Sequence, residues 1–300
     1  MTTVFYSPSY VGAGYEFDTT RKAKWVADSL IESPILGIAL EEPQPVSRTQ
    51  LALVHDADYI HAVQTGTPRS LAESQGFSWD PGLWPMVLAT NGGVVAAAIS
   101  ALEHGTAGSL SSGLHHARRE IGEGFCTFNG LAIAAREALS AGARSVLILD
   151  LDAHFGGGTQ SLISHEPRIW QVDVSVNDLD QYPLSERAWP SIVKNCTDYL
   201  PTIHRRLQEL EQYAPRFDLC LYNAGMDPYE HCPMGGLSGI TQETLDKRER
   251  MVFEWCRARR LPIAFALAGG YIGRRLDERG LVDLHRLTLS AAAQLQLRPH

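Results

Sequence analysis

The sequence predicts an α/β protein, a single domain of three layers with helices on both faces of a central, mostly parallel sheet. Three observations predict it. Short β segments, among them Val146–Leu149, Leu219–Tyr222 and Pro262–Leu267, are continuous apolar runs, the pattern of strands buried on both faces. Segments with helical spacing alternate with them, and strand–helix alternation of this kind gives one parallel sheet covered on both sides. No linker, repeat or low-complexity tract divides the 300 residues, so residues 1–300 read as one domain.

The elements follow in order. Val4–Tyr6 starts a first strand and leads into a loop rich in glycine and aromatics, Tyr10–Phe17. Arg21–Ile31 has helical spacing through Trp25, Val26 and Leu30. HDADYIHA, within Leu51–Ala62, is a short strand or turn feeding a helix, and its His55 and His61 read as surface or capping groups. Leu83–Leu102 is an alanine-rich helix that Gly92 and Gly93 weaken without ending. Gly105–Leu114 is small and polar, as in a strand edge and loop. Gly113–Gly130 is too rich in glycine and polar groups for a regular element, and Asn129 is the expected N-cap of helix Leu131–Ser140. Beyond the Val146 strand, Arg168–Val176 is a β segment and Asp178–Trp189 an irregular loop. A helix over Pro201–Tyr213 tolerates proline in its first turn. Thr241–Arg259 is an amphipathic helix capped by Thr241, and Leu284–Leu297 is the last.

A chain that is 44% hydrophobic and 20% charged can bury a large core. Its net charge of −8 argues against nucleic acid as a partner, since phosphate binding needs a basic surface. Five scattered cysteines (Cys126, Cys196, Cys220, Cys232 and Cys256) form no CxxC pair, so buried thiols and a cytoplasmic setting are expected. MTTVFYSPSY lacks the layout of a signal peptide, and no stretch reads as long and apolar enough to span a membrane. The sequence leaves homo-oligomerisation open.

The chain is organised around Ser145–Gln160, SVLILDLDAHFGGGTQ. In an extended strand residues two apart point to one side, so Asp150, Asp152 and His154 would crowd together at the carboxyl end of a buried strand. Open α/β sheets bind ligands at that end, and a divalent cation would compensate the carboxylates. Alone, DxDxH also fits a polar loop whose histidine caps the next helix. Two further apolar strands, however, run into special residues: Asp227 in NAGMD and Tyr271 in AGGY. Asp152, His154 and Asp227 would then make a three-ligand set with open positions, as in catalytic sites. It suits Zn²⁺, with Fe²⁺ or Co²⁺ also compatible. There is no GxSxG elbow, and the glycines after His154 lack the Lys-Ser/Thr of a phosphate loop.

GLHHA, GFCTFNG, LDLDAHFGGGTQ, NAGMD, CPMGGLS and LAGGY occur in the order and approximate spacing of the histone deacetylase family of metal-dependent amidohydrolases. That family includes bacterial acetylpolyamine amidohydrolases and acetoin-utilisation proteins, and the chain resembles it from about Val54 to Tyr271. The resemblance implies an arginase/deacetylase-like fold and one Zn²⁺ per chain on Asp152, His154 and Asp227. It also implies a K⁺ near Asp150, with Val172–Ser175 supplying part of its site. His115 and His116 would be the paired histidines that serve the attacking water, with Asp150 orienting His115 and Tyr271 donating to the substrate carbonyl. Phe125, Met234 and Tyr182 would line the channel. The implied substrate is a small-molecule or peptide acyl-amine, such as an acetyl-lysine or an acetylated polyamine.

The chain departs from the family pattern in five places. Gly157 stands where an Asp or Asn orients the second histidine, so His116 needs another partner. Phe155 replaces a frequent histidine. Gly14-Tyr15-Glu16-Phe17 replaces Gly-His-Pro-Glu, Gln181-Tyr182-Pro183-Leu184 is the nearest match to Pro-Gly-Thr-Gly, and Cys232 stands for an aspartate. The Gly157 change motivates an alternative reading, a catalytically impaired relative that binds acylated ligands. A binuclear arginase-type site lacks its carboxylates, because Phe155 and Gly156 follow His154, and Pro228 and Tyr229 follow Asp227.

Overall fold

A computed structural model describes residues 1–14 and 17–297. Its strands are β1 (Thr2–Phe5), β2 (Ile38–Glu41), β3 (Thr106–Ser109), β4 (Val146–Asp150), β5 (Ile169–Ser175), β6 (Ala188–Ile192), β7 (Leu219–Gly225) and β8 (Ile263–Ala268). They form one sheet in the order β2-β1-β3-β8-β7-β4-β5-β6, and every neighbouring pair is parallel. The helices that bear on the site are α1 (Asp18–Glu32), α2 (Leu83–His104), α3 (Gly130–Ser140), α4 (Gly157–Ile163), α5 (Cys196–Tyr213), α6 (Gln242–Ala258) and α7 (Glu278–Leu297), and others, Ala57–Thr65 among them, lie between β2 and α2.

Alternate residues of each central strand feed different cores. Val146 and Ile148 join α2 and α3 on one face. Leu147 and Leu149 join α1, α5, α6 and α7 on the other. This is why β4 reads as an unbroken apolar run. Each such side chain, fully buried, contributes roughly 1.5–3 kcal/mol.

The outer strands escaped the sequence reading for the converse reason. β2 and β6 are the two edges, partly exposed, and β6 carries Pro190, which an edge tolerates because one side of the strand needs no partner. β3, expected at a strand edge, lies in the sheet interior between β1 and β8, where its small residues are all buried. Asn129 caps α3 by accepting from Ala132 N at 3.0 Å, and Thr241 caps α6 in a reciprocal pair with Thr244. α5 begins at Cys196, so Pro201 sits inside the helix and not in its first turn. The expectation that no stretch could span a membrane needs correction. α2 is long and apolar enough by length and composition, with a mean hydropathy of 1.6. Its apolar character serves the core, since 61% of that stretch is buried inside the protein.

His55, expected at the surface, is 1% exposed. Its Nδ1–H donates to Arg118 O at 2.8 Å, and its Nε2 accepts from Asn129 N at 2.9 Å, which fixes a neutral tautomer. Burial pushes it down to about 4. The unfolded chain therefore takes up this proton first as pH falls. Stability from His55 is complete above pH 6.5 and drains away towards pH 4, by about 3 kcal/mol in all. Urea denaturation at pH 7 and pH 5 checks this: His55→Gln is expected to flatten the loss, and an equal loss in both proteins refutes it.

Candidate metal and catalytic site

The five neighbouring strands β3, β8, β7, β4 and β5 each release a loop at the same sheet end. β4 itself stops at Asp150, so strand alternation is not what gathers Asp150, Asp152 and His154. Instead the chain curls through two successive carboxylate turns. Asp152 N donates to Asp150 Oδ1 at 3.1 Å, and His154 N donates to Asp152 Oδ1 at 3.0 Å. The loop after β7 brings Asp227 alongside, and Ala153 N donates to its Oδ1 at 2.9 Å. Asp152, His154 and Asp227 each offer one ligand atom, all within 4.8 Å of one another and all buried.

These residues fit a divalent cation. Asp227 Oδ2 is buried with no hydrogen-bond partner among the described residues, 3.3 Å from His154 Nδ1. Burial and the Asp152 charge push the Asp227 carboxyl up to about 6. Burial opposes a charged His154, yet Asp152 and Asp227 hold it up at about 10, so the imidazolium stands in for positive charge between the carboxylates. Two carboxylate oxygens and one imidazole nitrogen suit Zn²⁺. Gly269, at φ +53°, closes the back of this set: a Cβ there would lie 2.3 Å from Asp227 Oδ1.

His115 and His116 come from the loop after β3, and their Nε2 atoms lie 3.2 Å apart. His115 Nδ1 faces Asp150 Oδ2 at 2.7 Å, and Asn223 Nδ2 holds the other Asp150 oxygen at 2.9 Å. Burial disfavours charge on His115, but Asp150 and Asp152 overcome it and hold the group up at about 10. His116 moves the other way, depressed by burial and by the neighbouring His115 charge. One loop thus carries a charged and a neutral imidazole. Asn129 fastens that loop, donating to His115 O at 3.2 Å and Ala117 O at 3.1 Å.

Tyr271 follows the Gly269–Gly270 turn after β8 and lines one cleft with His115, His116, Asp152 and Phe125. Burial and the charges of Asp227 and Asp152 push its hydroxyl well above the usual range, so it stays a donor. Lys22 Nζ, reaching in from α1, donates to Gly269 O at 2.7 Å. Phe125 packs tilted against Phe17 at 3.9 Å between ring centres and stacks with Phe77 at 5.8 Å. Met234 is 42% exposed, next to Gly235, which abuts His154. Tyr182 is a correction: 7% exposed, it packs with Phe155 and Ala188 and so does not wall the channel. The Tyr15 and Glu16 departures lie outside the described residues. All five cysteines are free, and all but Cys196 are buried.

Sequence reasoning missed Asn223, Lys22, Arg118 and Asp180. The last stands where the Gly157 departure asked for a partner: Asp180 Oδ2 lies 2.9 Å from His116 Nδ1. The signal was the carboxylate-rich Asn177-Asp178-Leu179-Asp180 just after β5, one strand from the site.

The fold and site define a metal-dependent hydrolase of the α/β/α deacetylase architecture. The histone deacetylase domain matches residues 17–279, and the chain belongs to that family of hydrolytic deacetylases. Histone deacetylase 2 of Arabidopsis thaliana is 27% identical, over 99% of this chain and 81% of its own. An uncharacterized protein of Picosynechococcus sp. is 35% identical over 84% of each chain. The crystal structure of an acetylpolyamine aminohydrolase from Burkholderia pseudomallei shares the fold, with a TM-score of 0.79 at 18% identity, covering 98% of this chain and 99% of that one.

Proposed function

We propose that this protein hydrolyses an acetyl or short acyl group from an amine, either a lysine side chain or a small molecule such as an acetylated polyamine. One Zn²⁺ on Asp152, His154 and Asp227 would serve the reaction. The observation that carries this reading is the buried carboxylate–imidazole set beside the His115–His116 pair, whose Nε2 atoms lie 3.2 Å apart.

Bound there, the cation supplies polarisation of the amide carbonyl and lowers the pKa of the attacking water. The side chains supply the rest. His116, neutral and with Nε2 turned into the cleft, takes the proton from water and returns it to the leaving nitrogen as the C–N bond breaks. His115, held charged by Asp150, offsets the negative charge that grows on the carbonyl oxygen. Tyr271 donates its hydroxyl proton to that oxygen from another side. Phe125 offers an apolar wall to the methylene chain of an acylated amine. A structural K⁺ beside Asp150 is part of the same reading. It is supported by Asp173, whose carboxyl burial and the Asp150 charge push up to about 8, and by Ser175 Oγ, buried with no hydrogen-bond partner among the described residues.

Metal analysis coupled to acetate release from acetyl-lysine peptides, acetylated polyamines and longer acyl-lysines tests the proposal. Stoichiometric zinc and hydroxamate-sensitive release are expected. Metal-free protein that releases nothing, even after zinc is added, overturns it. The alternative of an impaired relative rested on Gly157, and the presence of Asp180 beside His116 removes its motive.

A further inference from the structure

We infer that Asp180 is the positioning residue for His116, and that Gly157 is glycine because it must admit that carboxylate; the inference rests on the deacetylase reading. The Asp180 side chain is 3% exposed, and each of its oxygens is engaged. Oδ2 meets His116 Nδ1 at 2.9 Å and accepts from Gly158 N at 3.0 Å, while Oδ1 pairs with the Arg118 guanidinium. With Nδ1 turned to this carboxylate, His116 directs Nε2 into the cleft beside His115 Nε2.

The carboxylate is fixed to the metal-binding loop and does not swing on a free tether. Val176 N and Asn177 N both donate to Ala153 O, at 3.0 and 2.8 Å, and Phe155 N donates to Leu179 O at 3.1 Å. Asp180 itself sits at φ +60°, a left-handed conformation that Asp and Asn tolerate better than most residues. Gly157 is the other half of the arrangement. A Cβ at that position would lie 2.3 Å from Asp180 O and 2.4 Å from Asp180 Oδ1. A side chain at 157 and this placement of Asp180 therefore exclude one another. The Asp or Asn that the family pattern places at the start of α4 is replaced by a carboxylate from the loop after β5, directed at the same histidine.

The merely structural reading is that Asp180 only ties Arg118 and the α4 amino terminus into the loop. The test separates the two by asking for a carboxylate at either site. Wild type, Asp180→Ala, Asp180→Asn and Gly157→Asp/Asp180→Gly are compared by steady-state deacetylation, with zinc content measured for each. Low-field imidazole N–H proton resonances are recorded on the metal-free proteins. Loss of an orienting partner of this kind typically costs about 10- to 100-fold. Asp180→Ala is expected to lose that much in kcat with KM and zinc content near wild type, and the reciprocal double variant is expected to recover most of it. Wild type should show a low-field resonance from each histidine–aspartate pair: His115 with Asp150, His116 with Asp180 and, in the metal-free protein, His154 with Asp152. Asp180→Ala should lose the His116 resonance, which survives in Asp150→Asn. If Asp180→Ala does not fold, Asp180→Asn, which keeps the left-handed turn, carries the test through a lower kcat and an upfield-shifted resonance. Unchanged kcat and an unchanged resonance in a folded Asp180 variant overturn the inference. Wild type that releases no acetate from any substrate refutes the deacetylase reading instead, and the resonances still decide the positioning.

Discussion

Asp227→Ala is expected to abolish zinc retention and deacetylation together while leaving the fold in place. Asp227 is fully buried, and it is the one member of the ligand set that comes from the loop after β7. Its removal leaves Asp152 and His154, which already contact each other at 3.1 Å and can neutralise one another without an ion. The fold tolerates the change for an electrostatic reason. In the ion-free state Asp227 is itself held under stress, its carboxyl pushed up to about 6 by burial and by Asp152. Deleting it relieves that repulsion and leaves only the Ala153 N–H unpaired, a cost of about 1–3 kcal/mol. Metal content and thermal melting with and without added zinc would show it. Wild type should gain stability from zinc, since a ligand that binds only the native state raises it, and Asp227→Ala should not. An Asp227→Ala protein that kept zinc and turned over normally would refute the ligand assignment.

Tyr271→Phe is expected to lower kcat by about 10²- to 10³-fold with little change in KM. The substitution removes one oxygen and keeps the ring. The hydroxyl proton is held firmly, because burial and two nearby carboxylates resist its loss. It is therefore available for donation to a carbonyl oxygen only as negative charge develops there. Equal loss in KM and kcat, or none in either, would show that Tyr271 is a wall of the cleft and not a donor.

Much of this site could be read from residue order because its members sit where apolar runs end. Asp150 ends a doubly buried strand and Asp152, Asp227 and Tyr271 each follow one, and a parallel sheet brings such ends to one edge. The interior strands β4, β7 and β8 were legible on the same ground. What stayed hidden obeys other rules. β2 and β6 bury little on their outer sides and so leave no apolar run. Tyr182 was assigned because its segment is the nearest match to a family one, and a segment match does not say which way a ring turns; here it turns inward onto Phe155. Asp180 was hidden because its partnership depends on a space at Gly157, which exists only once the backbone of both loops is in place. Asp152 and His154 were grouped by strand alternation, whereas carboxylate turns gather them.

Lys22 ties α1 to the candidate site, a link that its distance in sequence from the other site segments conceals. Its ammonium, which burial pushes down to about 8, braces the carbonyl of Gly269 in the turn that leads to Tyr271. The first helix is thus a strut for the turn that presents the proposed donor. An enzyme trimmed to begin after it would keep every signature segment and still hold its phenol loosely.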